Sequence, residues 1–318
     1  MYKIARCYLF GKSVPLSVSI RLTDNCNSRC KYCGIKYKGK ELTTKEIFYI
    51  IDKIAKDCIH IDLLGGEPLL RKDIDKIIDY TSKKDVILQV TTNGFLVEDH
   101  LDALKKVNML VISLDGNEKV NDKLRGKGSY KKAIRAIRLA KAVGIPVFTN
   151  TILTKHSVID RGNFIINKAK ELGFKASFEM VTDFALSSRD AGNLLPSKEA
   201  LINFVENLKL EKRKGNEHIG VSMQFLNYLD KWPKHPNLKC YAGLFYCHID
   251  SQGNVYSCNL LKSLKGPGNI FKESLDNILK DLKNIKCKGC WCLPNMDFNL
   301  IFSLKRLPNF FRIFGGKR

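Results

Sequence analysis

Between residues 16 and 180 the chain alternates two kinds of hydrophobic pattern. Short apolar runs have the length and β-branched content of strands: LSVSIRL (16–22), IHIDLL (59–64), VILQVT (86–91), MLVISL (109–114), PVFTNTIL (146–153) and KASFEM (175–180). Between them lie segments with the three-to-four-residue spacing of helices. In TTKEIFYIIDKIAKD the residues Ile47, Ile50, Ile51 and Ile54 share one face, and Thr43 with Glu46 forms a capping box at its start. SYKKAIRAIRLAKAV (129–143) repeats the spacing through Tyr130, Ile134, Ile137 and Ala140, and Gly144 marks the stop. Six strands alternating with helices predict an α/β protein with a parallel sheet. Six units are too few to close an eight-stranded barrel, so the expected form is an open, partial (β/α)6 barrel.

After residue 182 the pattern changes. SSRDAGNLLPS (187–197) reads as a linker, and Ser197 then caps a helix whose face is Leu201, Phe204, Val205 and Leu208. From residue 240 the chain is rich in Gly, Asn and Cys, as expected of a small unit held by a metal centre. The predicted division is a core over 1–182, a connection over 183–239, a Cys-rich unit over 240–297 and a tail over 298–318. The tail, FNLIFSLKRLPNFFRIFGGKR, holds five Phe and five Lys/Arg with no acid. It reads either as a terminal helix packed on the barrel or as a basic–aromatic anchor on an anionic membrane. The second reading would make the substrate lipid-linked or membrane-associated.

Composition narrows the class. Hydrophobic residues at 44% and charged residues at 27% are those of an ordinary soluble domain. The chain has no apolar run of membrane-spanning length, and its first residues lack the apolar core of a signal peptide. The expected compartment is the cytoplasm, with the tail allowing contact at the inner face of the membrane. A net charge of +22 permits a nucleic-acid partner, but the excess is Lys-heavy and spread along the chain, with no recognisable RNA-binding module. Nucleic acid is therefore not the favoured partner. Nine of the eleven cysteines fall within 26–33 and 240–292, and in a reducing compartment such clustering points to metal or iron–sulfur ligation. Cys7 and Cys58 lie outside both groups and read as small buried hydrophobes.

The first group is CNSRCKYC, with Cys26, Cys30 and Cys33 spaced C-x3-C-x2-C directly after the first strand. That end of a strand is where active-site loops gather in α/β proteins. Structural zinc takes four ligands, commonly as paired C-x2-C modules, and no fourth Cys or His is near. Three thiolates instead suit a cubane iron–sulfur cluster with one iron left open.

This spacing, at this place, resembles the signature of the radical S-adenosylmethionine (radical SAM) enzymes. The resemblance implies that Cys26, Cys30 and Cys33 hold a 4Fe–4S cluster whose open iron chelates the amine and carboxylate of S-adenosylmethionine. One electron would then cleave the cofactor to a 5′-deoxyadenosyl radical that takes hydrogen from the substrate. Three further segments match in order. LLGGEPLL resembles the family's GGE motif: Gly65 and Gly66 would let the backbone approach the methionyl group, and Glu67 would accept its ammonium. TTNG, with Asn93, and ISLDG, with Ser113, resemble segments that touch the cofactor or substrate. By the same carry-over Arg125 would pair with the cofactor's carboxylate, while Tyr32 and Met180 would lie near its adenine.

The Cys-rich unit resembles the SPASM/twitch extension of these enzymes. Cys240, Gly253 and Cys258 fit the C-x(9–15)-G-x4-C element, and Cys287 with Cys290 fits the later C-x2-C. The resemblance implies a second, auxiliary 4Fe–4S cluster on those four cysteines, with Cys247 and Cys292 as candidate substitutes; a zinc ribbon is the competing reading. The full two-cluster pattern is not met, because no cysteine follows Cys292. A fully thiolate-ligated cluster has no open iron, so its role would be electron transfer or structure.

The leading expectation is thus a radical SAM oxidoreductase or maturase acting on a small molecule, sugar or lipid-linked substrate, reduced by a donor such as flavodoxin or ferredoxin. Only about fifteen residues precede the first strand, where peptide maturases commonly carry a recognition domain, and this favours the small-molecule reading. A peptide-modifying maturase and an RNA-modifying enzyme are the alternatives.

Overall fold

The apolar runs form six parallel strands: β1 (Ser17–Arg21), β2 (His60–Leu64), β3 (Ile87–Thr92), β4 (Met109–Ser113), β5 (Val147–Leu153) and β6 (Lys175–Met180). The structure is a computed structural model and describes residues 15–35, 39–181, 191–234, 238–258, 268–282, 291–292, 296–297 and 299–300. Parallel neighbours need crossovers, and these are supplied by α1 (Thr44–Ala55), α2 (Ile74–Ser82), α3 (Leu101–Leu104), α4 (Glu118–Arg125), α5 (Ser129–Ala142) and α6 (Asn163–Leu172). The expected local signals do their work. Thr43 Oγ1 accepts from the Glu46 N–H at 3.3 Å while Glu46 Oε2 accepts from the Thr43 N–H at 2.8 Å, completing the capping box of α1. Gly144, at φ +81°, follows the end of α5 in the left-handed region.

Side chains alternate between two faces along each strand. Val18 and Ile20 of β1 and Ile61 and Leu63 of β2 are fully buried in one apolar core with Ile47, Ile50 and Ile51 of α1. The opposite face is polar and looks into the barrel, where Ser17 Oγ meets His60 Nδ1 at 2.9 Å and Thr91 Oγ1 donates to Asp62 Oδ1 at 2.9 Å. The sheet does not close: β6 forms one edge. This is the α/β partial barrel the sequence implied.

Beyond the barrel, Ser197 caps α7 (Lys198–Arg213) by accepting from the Ala200 N–H at 3.2 Å, and Leu201, Phe204, Val205 and Leu208 are buried as expected. A short helix, α8 (Met223–Leu229), follows. The expected linker is described only from Ala191, which opens a 3-10 turn to Leu194. The Cys-rich segment then continues the same sheet. β7 (Tyr246–Ile249) pairs in parallel with β1, and β8 (Asn254–Tyr256) and β9 (Gly268–Asn269) extend it antiparallel, before α9 (Leu275–Leu282). The order is β6-β5-β4-β3-β2-β1-β7-β8-β9, so β1 is an interior strand. Sequence pattern missed β7 because four residues, YCHI, buried throughout, have no period to detect. No helix among the described residues is long and apolar enough to cross a membrane. Cys7, Phe298 and the tail from 301 lie outside the described residues.

Candidate active site

The cysteine loop leaves β1 under firm restraint. Glu41 Oε1 accepts from Thr23 Oγ1 and from the Asp24 N–H, both at 2.8 Å. Farther along, Ser28 Oγ donates to Arg125 O at 2.8 Å and the Lys31 N–H to Leu124 O at 2.9 Å, tying the loop to the last turn of α4. The GGE turn packs directly on this loop. The Gly66 N–H donates to Thr23 O at 2.7 Å and the Glu67 N–H to Asn25 O at 2.8 Å. A Cβ on Gly66 would stand 2.3 Å from Asn25 O, a distance at which backbone must move, so the close approach requires glycine.

Between these segments and the ends of β3–β5 lies a cleft of about 680 Å³. Cys26, Cys30 and Cys33 line it, together with Tyr32, Gly65, Gly66, Asn93, Ser113 and Arg125. Two candidates fall elsewhere. Met180 is buried in the apolar core, because alternation along β6 turns Phe178 and Met180 to that layer. Glu67 does not line the cleft either. Its fully buried carboxyl accepts from the Leu69 N–H at 3.1 Å, Thr92 Oγ1 at 2.7 Å and the Asn93 N–H at 2.7 Å, and burial pushes its pKa up to about 7. In this geometry it fastens the TTNG segment to the GGE turn.

Arg125 is also more committed than expected. Its Nε and Nη2 form a two-point ion pair with Asp115 at 2.8 and 3.1 Å, and Nη1 stands 3.9 Å from Cys30 Sγ. Tyr32 donates to the same carboxylate at 2.6 Å, with the guanidinium 5.5 Å from its ring centre. Burial opposes the charge on Arg125, but Asp115, Tyr32 and Cys30 together more than offset it and the pKa rises. Burial likewise raises Tyr32 well above its ordinary value, so it stays a neutral phenol. Asp115 is a residue the sequence reading passed over, although it stands in the quoted ISLDG segment.

The sulfurs sit among polar hydrogens. The Ser28 N–H reaches Cys26 Sγ at 3.3 Å, Ser28 Oγ lies 3.5 Å from Cys30 Sγ, and Asn93 Nδ2 lies 3.9 Å from Cys26 Sγ. Burial pushes Cys26 up to about 11 and raises Cys33, so these thiols keep their protons until a metal's positive charge displaces them. Three thiols in one cleft, with N–H donors ready for thiolate sulfur, fit a 4Fe–4S cluster with one open iron.

The remaining described cysteines separate clearly. Cys240 Sγ lies 3.4 Å from the Tyr246 hydroxyl. Cys258 lies two residues past the end of β8, the strand paired with β7, and is buried. Cys247 instead shares the position of Val18 on the helix-covered face, where burial raises its pKa and Cys58 is a neighbour. Cys292 donates a hydrogen bond to Glu179, whose carboxyl burial also raises, and Asn150 of the cleft donates to Glu179 at 3.2 Å. Cys287 and Cys290 lie outside the described residues.

Residues 20–161 match the model of the radical SAM superfamily. The mycofactocin maturase MftC of Mycobacterium ulcerans is 32% identical over 263 residues, covering 78% of this chain and 69% of that protein. Its counterpart in Mycolicibacterium smegmatis is 30% identical over 262 residues, and there the chain spans 65% of the relative's length. The PqqA peptide cyclase of Gluconobacter oxydans is 26% identical over 290 residues, covering 86% of this chain and 77% of the cyclase. In fold, the chain resembles Streptococcus suis SuiB in its complex with the precursor peptide SuiA, with a TM-score of 0.71 at 18% identity, covering 91% of this chain and 71% of that one.

Proposed function

Because this chain belongs to the radical SAM superfamily, we propose that it is a peptide-modifying maturase that cleaves S-adenosylmethionine and takes hydrogen from a peptide substrate. The observation that carries the reading is the convergence of Cys26, Cys30 and Cys33 with the Gly65–Gly66 turn and Asn93, Ser113 and Arg125 on one cleft. When bound there, a 4Fe–4S cluster and S-adenosylmethionine supply a carbon radical that abstracts hydrogen. The chain's own groups hold and enclose them: three thiols ligate, the glycine turn admits the methionyl group, and Tyr32 and Arg125 brace one wall through Asp115. A peptide substrate has more support than the small-molecule, sugar or lipid-linked one. Relatives covering most of the chain include a peptide cyclase, and the fold is that of an enzyme seen with its precursor peptide.

The reading includes an auxiliary 4Fe–4S cluster on Cys240, Cys258, Cys287 and Cys290, and a reducing donor of flavodoxin or ferredoxin type. The approach of Cys240 to Tyr246 of β7, and the position of Cys258 just past β8, the strand paired with β7, support it. Cys247 and Cys292 are set aside as ligands, since one faces the helix layer and the other is hydrogen-bonded to Glu179. The division into a core to residue 182, a connection to 239, an auxiliary unit to 297 and a tail beyond it is retained, with β7 joining auxiliary unit to core.

Anaerobic reconstitution followed by iron and sulfide analysis and an assay for 5′-deoxyadenosine tests the proposal. Two clusters per chain and reductive cleavage are expected. Cys26→Ala abolishes cleavage, whereas Cys258→Ala leaves slow cleavage but stops peptide turnover. Zinc in place of iron at the first three cysteines, or normal cleavage by Cys26→Ala, overturns it.

A further inference from the structure

The inside of the barrel is not filled. A closed barrel of parallel strands packs its interior with branched apolar side chains. Here the inward positions of β2, β3, β5 and β6 keep partial exposure, and Asp62, Gln89, Thr91, Asn150 and Glu179 are each accessible in part. Thr91 and Asn150 also line the cleft, so lumen and cleft share a boundary.

Two of these inward residues are acids with no part in holding the cysteines or the glycine turn. Asp62 Oδ1 accepts from Thr91 Oγ1 at 2.9 Å, and Glu179 Oε2 accepts from Asn150 Nδ2 at 3.2 Å. Each carboxyl thus lies one hydrogen bond from a side chain of the cleft wall. Glu179 stands beside Ile152 in the β5–β6 register, and Ile152 lines the cleft too. The other side-chain donors to these acids are neutral, Gln89 to Asp62 and Cys292 to Glu179. Neither acid has an ion-pair partner among the described residues.

An acidic lumen runs against the rest of the molecule, which sets 54 Lys and Arg against 32 Asp and Glu. The cations that share the inward face are placed elsewhere. Arg21 stands 3.7 Å from Asp24, and Lys175 is exposed at the far end of β6, about 13 Å along the strand from Glu179. Enclosure raises both carboxyls, Asp62 to about 7, as expected of acids with donors but no positive neighbour. A cation entering the lumen would supply that charge where it is screened less than in bulk water.

We propose that the lumen is a side-chain chamber for the substrate, in which Asp62 and Glu179 select a cationic residue of the peptide, lysine or arginine. The assignment rests on the peptide-maturase reading above. A long cationic side chain reaching down from the cleft anchors the peptide beside the place where hydrogen is taken.

The test is a ligand-observed NMR titration of the anaerobically reconstituted full chain, loaded with S-adenosylhomocysteine. The probes are capped pentapeptides Gly-Gly-X-Gly-Gly, with X lysine or its neutral isostere norleucine, and the fragments n-butylammonium and n-butanol. The lysine peptide should bind about tenfold tighter than the norleucine peptide, and butylammonium tighter than butanol. Glu179→Gln and Asp62→Asn should each cut the lysine preference about threefold or more, with iron and sulfide content as in the wild type. Equal affinity within both pairs of probes overturns the chamber, and so does a preference unchanged in both variants. Cleavage of S-adenosylmethionine by the same wild-type sample then leaves the radical SAM reading standing. If the variants fail to load iron, magnetisation transfer from butylammonium to the Ile152 methyl groups of the wild type decides, and its absence overturns the chamber. A butylammonium preference with no binding of either peptide supports the chamber and overturns the peptide reading.

Discussion

Asp115 does not line the cleft, yet Tyr32, Arg125 and the Ile152 N–H all converge on its carboxylate. Removing one partner of a buried ion pair leaves the other charge unpaired, so Asp115→Ala should cost about 3–5 kcal/mol in urea unfolding. The same variant should load less iron, because Arg125 O and Leu124 O anchor the cysteine loop. Glu67 sets a pH dependence. Burial raises its folded pKa from 4.5 to about 7, so its contribution is whole below 4.5 and is lost as pH climbs through 7. The loss amounts to about 3 kcal/mol, and Glu67→Gln should flatten the fall in stability between pH 4.5 and about 7, read from denaturant midpoints. The three cysteines and most cleft residues were legible because their types and spacing are chemically restrictive. Asp115 and the inward turn of the Glu67 carboxyl were not. An acid in a loop after a strand looks the same in sequence whether it binds a ligand, an arginine or a backbone N–H.

At the scale of elements, the contact between the GGE turn and the cysteine loop is backbone on backbone, with no side chain able to yield. Gly66→Ala should therefore displace residues 24 and 25, lower stability by about 1–3 kcal/mol and reduce bound iron per chain in elemental analysis. Thr43→Ala removes one half of the α1 capping box and should lower the unfolding free energy by about 1 kcal/mol without changing iron content. The strands and helices of the barrel were readable because each has one apolar face at a fixed period. Such a period reports burial within an element and is silent on which elements become neighbours. Hence β1 through β6 could be listed from sequence, whereas the pairing of β7 with β1 could not.

Across the whole molecule, β1 is the strand on which the two cysteine-bearing regions depend. The first loop rises from its C-terminal end, while Tyr246, beside Cys240, pairs with Ser17 at the other. At about 3.3 Å per residue, four residues of strand set these ends about 13 Å apart. A chain cut after Lys239 would expose the β1 edge, and it should elute as aggregate in size-exclusion chromatography. The same arrangement bears on how the protein is made. Ser19 and His248 are hydrogen-bonded although 229 positions separate them in the chain. At ribosomal speeds of roughly 5–20 residues per second, β1 emerges and then waits on the order of ten to fifty seconds for its second neighbour. Throughout that interval the nascent polypeptide carries an open flank, so a chaperone that shields unpaired strands should raise the yield more than any change at the cleft.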